Sequence, residues 1–250
     1  MASSIFHLHS KWFSFFLCIS ATWAYTCSRP LWSMRVSTLS SKLAEVDLSK
    51  RGFRYILGSD ESGTGCIAGP VVVATCCLLK DETIDGVNDS KLLTPETRTR
   101  IYQHVTNNPT VYAWNYQLAT PVDISNSNTA KATIQAFQRS IQNLVMDHNM
   151  PYNCTYSIVD GHRTPMLNIP VSCRPWKQAD AQVYTVALAS IIAKVTLDTI
   201  MMDLHKQYPH YDFQSNKGYP TRQHVQQIHT HGLSPCHRTN AKPIKGRERG

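Results

Sequence analysis

The chain has 250 residues, with 25 lysines and arginines against 17 aspartates and glutamates, and a formal net charge of +8. Hydrophobic residues make up 42% of it and charged residues only 17%, which excludes an intrinsically disordered chain and leaves enough apolar side chains for a sizeable core. The one apolar run that approaches membrane length lies at the extreme N-terminus, so a multi-span membrane protein is excluded as well.

The positive charge is concentrated at the two ends of the chain. Residues 1–50 carry five basic and two acidic residues, and residues 217–250 carry seven basic and one acidic residue. The segment between them is close to neutral, with a net charge of −1. A basic C-terminal end can bind a polyanion, although a solvated tail explains the charge alone equally well.

Residues 1–50 have the composition of a targeting leader. Lys11 precedes the apolar stretch 12–23, which is short and serine-rich for a membrane span, and the small residue Ala24 follows it, as at a signal cleavage site. Residues 26–44 are basic and rich in serine and threonine. We predict that this segment targets the protein to an organelle, a mitochondrion or a plastid. The targeting signal is either a two-step signal or a simple mitochondrial presequence. A natively disordered extension or a misassigned start codon is the alternative.

The rest of the chain divides into a body at residues 51–245 and a short basic tail at residues 246–250. The eight cysteines contain no C-x-x-C pair and no spacing typical of a disulfide framework, which favours a reduced compartment. A group of histidines with one cysteine near the C-terminus has neither zinc-finger spacing nor a helical histidine pair, so surface histidines are expected there rather than structural zinc. These residues are His224, His229, His231, Cys236 and His237.

The body begins with a predicted strand at residues 55–58, which runs toward Asp60 and Glu61 and then into a glycine-rich turn at 62–65. Residues 71–79 are apolar throughout and predict a second, fully buried strand. Neighbouring residues on a regular strand point to opposite faces. We therefore expect the first strand to end at or before Glu61, so that both acids face one cleft.

The next predicted elements are a helix, a strand and a second helix. Thr94 offers a capping hydroxyl, Pro95 suits the first helical position, and Glu96 places an acid in the first turn. Residues 110–118 alternate and are rich in β-formers, which predicts a strand. Apolar residues at helical spacing predict a helix over residues 129–148.

The second half of the body predicts two strands followed by two helices, at residues 154–159, 169–172, 180–208 and 221–231. The helix at 180–208 is apolar in its first half, which is typical of a buried helix. Strands that precede helices, with hairpin character early in the body, predict one α/β domain with a mixed central sheet flanked by helices.

Four acidic side chains at the ends of these elements are the candidate catalytic groups. Asp60 and Glu61 end the first strand, and Asp160 ends a later one. Asp180 opens the long helix. Singly, each is explained more simply by helix capping or turn formation. Together, carboxylates at the strand ends of one sheet can converge on a cleft, where their repulsion requires cations. Oxygen-only ligands select Mg²⁺ or Mn²⁺, and two such ions about 4 Å apart can drive phosphodiester cleavage by water.

Six short motifs follow one another along residues 54–245. They are Gly-Ser-Asp-Glu-Ser-Gly-Thr-Gly at 58–65 with Ala-Gly-Pro-Val-Val at 68–72, Asn-Asp-Ser-Lys-Leu-Leu at 88–93, Val-Asp-Gly-His-Arg at 159–163, Asp180 with the helix segment 189–198, Tyr208-Pro209 with Lys-Gly-Tyr-Pro-Thr at 217–221, and His237-Arg238. In this order they resemble the bacterial-type ribonuclease HII family, a type 2 ribonuclease H, and the leader suggests an organelle-targeted eukaryotic member.

The resemblance implies an RNase H-like fold with a helical C-terminal extension. It implies an endonuclease that cleaves the RNA strand of RNA–DNA hybrids and ribonucleotides embedded in duplex DNA, leaving 5′-phosphate and 3′-hydroxyl ends. It also implies that Asp60, Glu61, Asp160 and Asp180 match the family's metal-binding carboxylates. We expect Asp60 to be shared between two ions and the other three acids to hold the ions individually.

The resemblance further implies a set of substrate contacts. Ser90 and Lys91 match a phosphate-contacting pair, and Tyr219 matches a tyrosine that stacks under the deoxyribose beyond a ribonucleotide–DNA junction. The turn that matches the family's 2′-hydroxyl-recognising segment consists of Gly63, Thr64 and Gly65. Glycines there let the backbone approach the hydroxyl that distinguishes RNA from DNA.

The chain departs from the family pattern at several positions. The family usually has arginine where this chain has Thr64, and alanine where it has Ser62, so stabilisation of the transition state is expected to be weaker here. The usual Lys-Gly-Asp is replaced by Gln178-Ala179-Asp180, so only the aspartate of that triplet is kept.

Two rival functions stay open at this point. The missing arginine and the basic tail suggest a catalytically weak nucleic-acid-binding homologue, but binding alone has no need of converging acids beside a phosphate backbone. The catalytic subunit of the three-subunit eukaryotic enzyme is the other rival. The bacterial form of the motifs and the leader favour a monomeric organellar enzyme instead.

Overall fold

A mixed five-stranded sheet forms the centre of the molecule, in the strand order β3-β2-β1-β4-β5. Our computed structural model describes residues 41–241, so the tail at 246–250 and the leader up to residue 40 lie outside the described residues. The strands are β1 (Tyr55–Ser62), β2 (Val71–Leu78), β3 (Tyr112–Ala119), β4 (Thr155–Asp160) and β5 (Ser172–Trp176). The first three pair antiparallel in sequence order, and β4 and β5 continue the sheet in parallel with β1.

Helices cover both faces of this sheet. They are α1 (Leu43–Lys50), α2 (Pro95–Asn107), α3 (Pro121–Asn126), α4 (Thr129–Asp147), α5 (Tyr184–Gln207), α6 (Phe213–Asn216) and α7 (Arg222–His231). Short 3₁₀ turns lie at Ser90–Leu92, Tyr152–Cys154, Ala179–Ala181 and Pro209–Tyr211. Helix α4 packs on one face of the sheet and α5 on the other. The predicted fold class, a mixed sheet flanked by helices with a helical C-terminal extension, is confirmed.

Helix α5 is the central helix of the larger core. It is long and apolar enough to cross a membrane by length and composition, but 67% of its apolar window is buried inside the described body. Leu188, Ile191 and Ile192 are fully buried in the cluster that joins α5 to β2. The apolar run is therefore explained by the packing of α5 against the sheet, as the sequence predicted for this segment.

Helix starts follow the capping signals in the sequence. The Thr94 hydroxyl accepts a hydrogen bond from the Thr97 backbone N–H (3.3 Å), with Pro95 at the first helical position of α2. The Thr221 hydroxyl accepts in the same way from the backbone N–H of His224 (3.2 Å) at the start of α7. Local chemistry was sufficient to predict these boundaries.

The predicted strand at residues 169–172 is displaced, because β5 spans Ser172–Trp176. Its register places Ser172 opposite Tyr156 and Pro175 opposite Val159. Proline cannot donate a ladder hydrogen bond, so a strand that contains Pro175 is disfavoured inside a sheet. The edge position of β5 removes that objection, since one side of an edge strand has no partner.

Residues 43–50, which the sequence assigned to the leader, form α1 and pack on the body. Leu48 is 5% exposed and lies in a cluster with Ile56 of β1 and Ile158 of β4. The folded body therefore begins before the predicted boundary at residue 50. The apolar spacing over these eight residues was too short to separate a packed helix from leader sequence.

Candidate active site

The four predicted catalytic acids lie at one edge of the sheet. The parallel strands β1 and β4 end at this edge, and their last pair is Ser59 with Val159. Beyond that pair stand Asp60 and Glu61 on β1 and Asp160 at the end of β4. Asp180 lies in the 3₁₀ turn Ala179–Ala181, just before α5.

The expectation that β1 ends at or before Glu61 is wrong. The strand continues through Ser62, and Asp60, Glu61 and Ser62 pair with Ala74, Val73 and Val72 of β2. The neighbouring strand β2 supplies partners along this whole stretch, so the ladder does not break at the acids. The two acids consequently leave the strand on opposite faces.

The two acids nevertheless belong to one site. Strand β1 extends past the end of β4, so both carboxylates lie close enough to Asp160 to be repelled by its charge. Asp60 lies on the α5 side, where the nearby Ser190 side chain lowers its pKa. Glu61 lines a cavity on the α4 side together with Phe137 and Asp160. The backbone N–H of Glu61 donates to Asp60 Oδ1 at 2.7 Å, which holds the Asp60 carboxyl group beside the chain.

Burial and repulsion between neighbouring charges raise the pKa values of Asp60, Glu61 and Asp180. Asp60 is 5% exposed, and its pKa is raised well above the ordinary value, first by burial and then by the charges of Glu61 and Asp160. The pKa of Glu61 is raised to about 7 by burial and by the Asp160 charge. Burial, followed by Asp89 and Asp160, raises the pKa of Asp180. Such a cluster is unfavourable without cations, which is typical of a functional site.

Hydrogen bonds tie the acids to each other and to one lysine. Asp160 Oδ1 accepts from the Ala179 backbone N–H at 2.7 Å, so the end of β4 is fixed to the turn that carries Asp180. Lys91 Nζ lies 3.4 Å from Asp180 Oδ2 and 3.8 Å from Asp89 Oδ1. The Lys91 side chain is 77% exposed, so its charge can also reach a ligand in solvent.

The turn that carries Lys91 is anchored by a residue whose role the sequence did not reveal. Arg98 Nη1 donates to the backbone oxygens of Ser90 (2.8 Å) and Leu93 (2.7 Å). Ser90 is itself buried, and its hydroxyl lies 2.8 Å from the hydroxyl of Ser190 on α5. Ser90 therefore fixes the turn to α5. In the sequence, Arg98 resembles any arginine in the first turns of a helix.

The carboxylates form an open donor set. Within residues 41–241, no three histidine, cysteine, aspartate or glutamate side chains are grouped closely enough to hold one metal ion. Zinc is disfavoured, because structural zinc takes four nitrogen or sulfur ligands in a closed tetrahedron. The acids fit Mg²⁺ or Mn²⁺, since Mg²⁺ is usually held through one or two carboxylates and keeps water and phosphate oxygens as further ligands. The raised pKa values of Asp60, Glu61 and Asp180 point the same way, because a bound cation would relieve the repulsion.

The glycine-rich turn packs beside Tyr219, so two predicted substrate contacts come together. Gly63 has a φ of +95°, and a Cβ there would lie 3.0 Å from the Pro70 backbone oxygen. A Cβ on Gly65 would lie 3.4 Å from the Tyr219 ring. Tyr219 is 39% exposed, which leaves part of its ring available for stacking. Thr64 is exposed between the two glycines.

Arg238 holds this turn from the C-terminal extension. It is 1% exposed, and its guanidinium donates to the backbone oxygens of Gly69 (2.8 Å), Pro70 (2.8 Å) and Thr64 (3.4 Å). The sequence placed Arg238 in a motif without assigning it a function. Its partners are main-chain oxygens some 170 positions earlier, and sequence patterns do not report such contacts.

Two of the C-terminal histidines, expected at the surface, are fully buried. His224 Nε2 lies 3.1 Å from His237 Nε2. The Ser234 backbone N–H donates to His237 Nδ1 (3.0 Å), and His224 Nδ1 lies 2.8 Å from the Tyr219 backbone oxygen. A backbone N–H only donates and a carbonyl only accepts, so His237 Nε2–H donates to His224 Nε2, and His224 Nδ1–H donates to Tyr219. The neutral pair thereby fixes the backbone of Tyr219.

Acid is expected to destabilise the protein through this pair. Burial lowers the pKa of His224, and burial together with His224 lowers the pKa of His237 to about 4. Unfolded histidines take up protons near pH 6.5. Between pH 6.5 and about 4, the unfolded chain therefore binds more protons than the folded chain does. Stability falls as the pH drops through this range, by about 3 kcal/mol for His237.

Urea unfolding of the unaltered chain at pH 7.5, 6 and 5 measures this loss. We expect His237→Gln to be less stable at pH 7.5 but to lose less stability on acidification. The control His148→Gln, at an exposed position after α4, should keep the steep dependence. Equal slopes in all three proteins would contradict the assignment.

Comparisons with known proteins agree with this fold. A family model described as ribonuclease HII matches residues 57–243. The chain is 38% identical over 202 residues to a ribonuclease HII from Desulfitobacterium hafniense, covering 80% of this chain and 74% of that protein.

Two solved structures resemble the chain in fold. The ribonuclease H2 of Pyrococcus horikoshii OT3 has a TM-score of 0.60 at 24% identity, covering 76% of this chain and 95% of that one. The Bst-RNase HIII complex with Mn²⁺ has a TM-score of 0.59 at 21% identity, covering 82% of this chain and 72% of that one. These likenesses establish an RNase H-like fold, as the motifs implied.

Proposed function

The chain belongs to the ribonuclease HII family, and from that premise we propose how its residues carry out the reaction. It is a metal-dependent endoribonuclease that acts on RNA–DNA hybrids. We propose that it also cleaves at single ribonucleotides embedded in duplex DNA, with Mg²⁺ or Mn²⁺ at a two-ion site. The observation that carries the proposal is the group of buried, mutually repelling acids at the edge of β1 and β4, beside the glycine turn and Tyr219.

Each residue has a separate task in this proposal. Asp60 is the carboxylate shared by the two ions, while Glu61, Asp160 and Asp180 each hold one ion. When bound, the ions activate a water and stabilise the leaving oxygen of the phosphodiester. Lys91 supplies positive charge to a substrate phosphate without recognising sequence. The backbone of Gly63, Thr64 and Gly65 recognises the 2′-hydroxyl, and Tyr219 stacks under the next deoxyribose.

Cleavage of a DNA duplex with one embedded ribonucleotide tests this function. With Mg²⁺ or Mn²⁺ we expect a single cut that leaves a 5′-phosphate and a 3′-hydroxyl, and none in EDTA. An all-DNA duplex of the same sequence is the matched control and should stay intact. Binding without cleavage in either metal would instead identify a nucleic-acid-binding homologue.

Introducing an arginine at Thr64 is expected to raise the rate of cleavage. Thr64 is exposed and lines the cavity of about 430 Å³ that also contains Glu61 and Asp160, so a longer side chain fits there. Its positive charge would stabilise a phosphate in the transition state. We therefore expect kcat/KM to increase about tenfold or more. Ala130→Arg places the same charge at another lining position of this cavity, on α4, and serves as the control. A Thr64→Arg rate equal to that of the unaltered chain, or to Ala130→Arg, would refute the prediction.

We further propose that the protein acts as a monomer in an organelle. The acids, the glycine turn and Tyr219 all come from one chain, so no second subunit is needed to complete the site. Residues 1–40 carry the leader composition and, when fused to a fluorescent protein, should direct it to mitochondria or plastids. Diffuse cytosolic fluorescence would contradict the predicted organelle targeting, and sedimentation of the protein as a dimer would contradict the predicted monomer.

A further inference from the structure

Helix α1 is attached to the segment that carries Asp180. Leu48 lies in an apolar cluster with Ala179, Val183 and Val186, which surround Asp180 in sequence. This cluster makes α1 a support for the turn before α5. None of the residues that the motifs identify lies on α1, so the contact has no explanation in them.

Glu45 of α1 also caps the start of α5. The N-cap residue of α5 is Val183, whose side chain makes no capping hydrogen bond. Glu45 Oε1 instead accepts from the Thr185 backbone N–H (2.9 Å) and from its hydroxyl (3.1 Å). The first backbone N–H groups of a helix have no partner within the helix, and its dipole favours a negative charge there.

The buried surroundings of Glu45 are unfavourable for a carboxylate. Glu45 is 8% exposed, and its second oxygen, Oε2, has no hydrogen-bond partner. Burying a carboxylate oxygen without a partner opposes folding. A residue chosen for packing alone would be apolar at such a position. The hydrogen bonds to Thr185 are therefore the reason that this side chain is an acid.

The start of α5 also determines the positions of two catalytic acids. A Cβ on Gly58 would lie 2.3 Å from the backbone of Thr185, so α5 begins directly on β1, two residues before Asp60. Asp180 lies four residues before the helix start. Ser190, in the second turn, lies close enough to Asp60 to lower its pKa. A shift of this helix start would thus move both acids.

We propose that Glu45 is a positioning residue for the metal-binding acids, acting through the first turn of α5 on Asp180 and Asp60. The proposal rests on the proposed function, because it concerns the same metal site. It also makes α1, which the sequence assigned to the leader, part of the enzyme. Any processing of the leader must then leave the chain intact from Leu43 onward.

Titration of the full chain with Mn²⁺ alone, followed by calorimetry, tests the proposal without relying on cleavage. We expect Glu45→Ala to weaken Mn²⁺ binding about tenfold, as found when groups that orient metal ligands are removed. The same variant should lower kcat by a similar factor and leave the KM for the duplex within about twofold. Glu45→Gln keeps an acceptor for Thr185 and should bind Mn²⁺ nearly as the unaltered chain does. Asp47→Asn, on the exposed side of α1, is the matched control and should change nothing.

The outcomes separate positioning from a purely structural role. If Glu45→Ala melts at a lower temperature but binds Mn²⁺ normally well below that temperature, the positioning role is refuted. A Glu45→Gln variant as defective as Glu45→Ala would also refute it, because the hydrogen bonds would not be the cause. Should Glu45→Ala fail to fold, Glu45→Asp, whose side chain is one methylene shorter, gives the same comparison. An unaltered chain that neither binds Mn²⁺ nor cleaves would refute the proposed function itself.

Discussion

The substitution Asp60→Asn is expected to abolish cleavage and at the same time to stabilise the metal-free protein. Asp60 is buried, and the charges of Glu61 and Asp160 repel its carboxylate. Asparagine has the same shape and can still accept the backbone hydrogen bond from Glu61, but it has no charge to hold a cation. We expect a loss in kcat on the order of a thousandfold, because charge is removed at the developing transition state.

The stability gain should depend on pH in a defined direction. Because burial and repulsion raise the pKa of Asp60, the folded state retains this proton more strongly than the unfolded chain does. The unaltered protein therefore loses stability as the pH rises above the ordinary carboxyl value, and Asp60→Asn does not. At pH 8 without metal we expect the variant to be about 1 kcal/mol more stable, as is common when active-site strain is removed.

Single-turnover cleavage, duplex binding by fluorescence anisotropy and urea unfolding together test this prediction. Duplex affinity should change less than about threefold, since Asp60 opposes rather than attracts the phosphate backbone. Asp203→Asn, at an exposed position on α5, is the control for the loss of a negative charge. Retained cleavage in Asp60→Asn, or the same stability change in both variants, would contradict the role of Asp60.

The sequence predicted the order of the elements well, because most of their signals are local. Thr94 and Thr221 cap helices where their side chains indicate, and the apolar run of α5 corresponds to a helix buried on the sheet. Local signals placed the last strand too early, at 169–172 rather than Ser172–Trp176, where Pro175 is tolerated because the strand lies at the edge. Edge position is a property of the assembled sheet, so no window of sequence reports it.

The site was predictable in its residues but not in its geometry. Motif order identified the acids, whereas the position of Asp60 and Glu61 on opposite faces of one continuous strand depends on how far β2 extends. The supports of the site were missed altogether. Glu45 acts through the backbone of Thr185, 140 positions later, while Arg98 acts through the backbone oxygens of Ser90 and Leu93 just before its own helix. Neither contact leaves a periodicity or a spacing in the chain.

Arg238 provides the clearest test of such a support, and Arg238→Lys is expected to be strongly destabilising. The guanidinium donates to three backbone oxygens in directions that a single ammonium group cannot match, so at least one buried oxygen loses its donor. Each buried oxygen left without a partner costs about 1–3 kcal/mol. We expect a total loss of about 3 kcal/mol in the free energy of unfolding, measured with urea.

The same change should impair recognition of the ribonucleotide, because one of the three oxygens, that of Thr64, lies in the glycine turn itself, and the other two, at Gly69 and Pro70, lie between that turn and β2. Below the melting temperature, Arg238→Lys should lower kcat/KM on the embedded-ribonucleotide duplex about tenfold, a loss typical of misplaced positioning groups. Arg222→Lys, exposed at the start of α7, is the matched control and should leave both quantities unchanged. If Arg238→Lys is as stable and as active as Arg222→Lys, the three hydrogen bonds do not hold the turn. If stability alone falls, Arg238 serves the fold, and the glycine turn is fixed by its own backbone and by its packing against Tyr219.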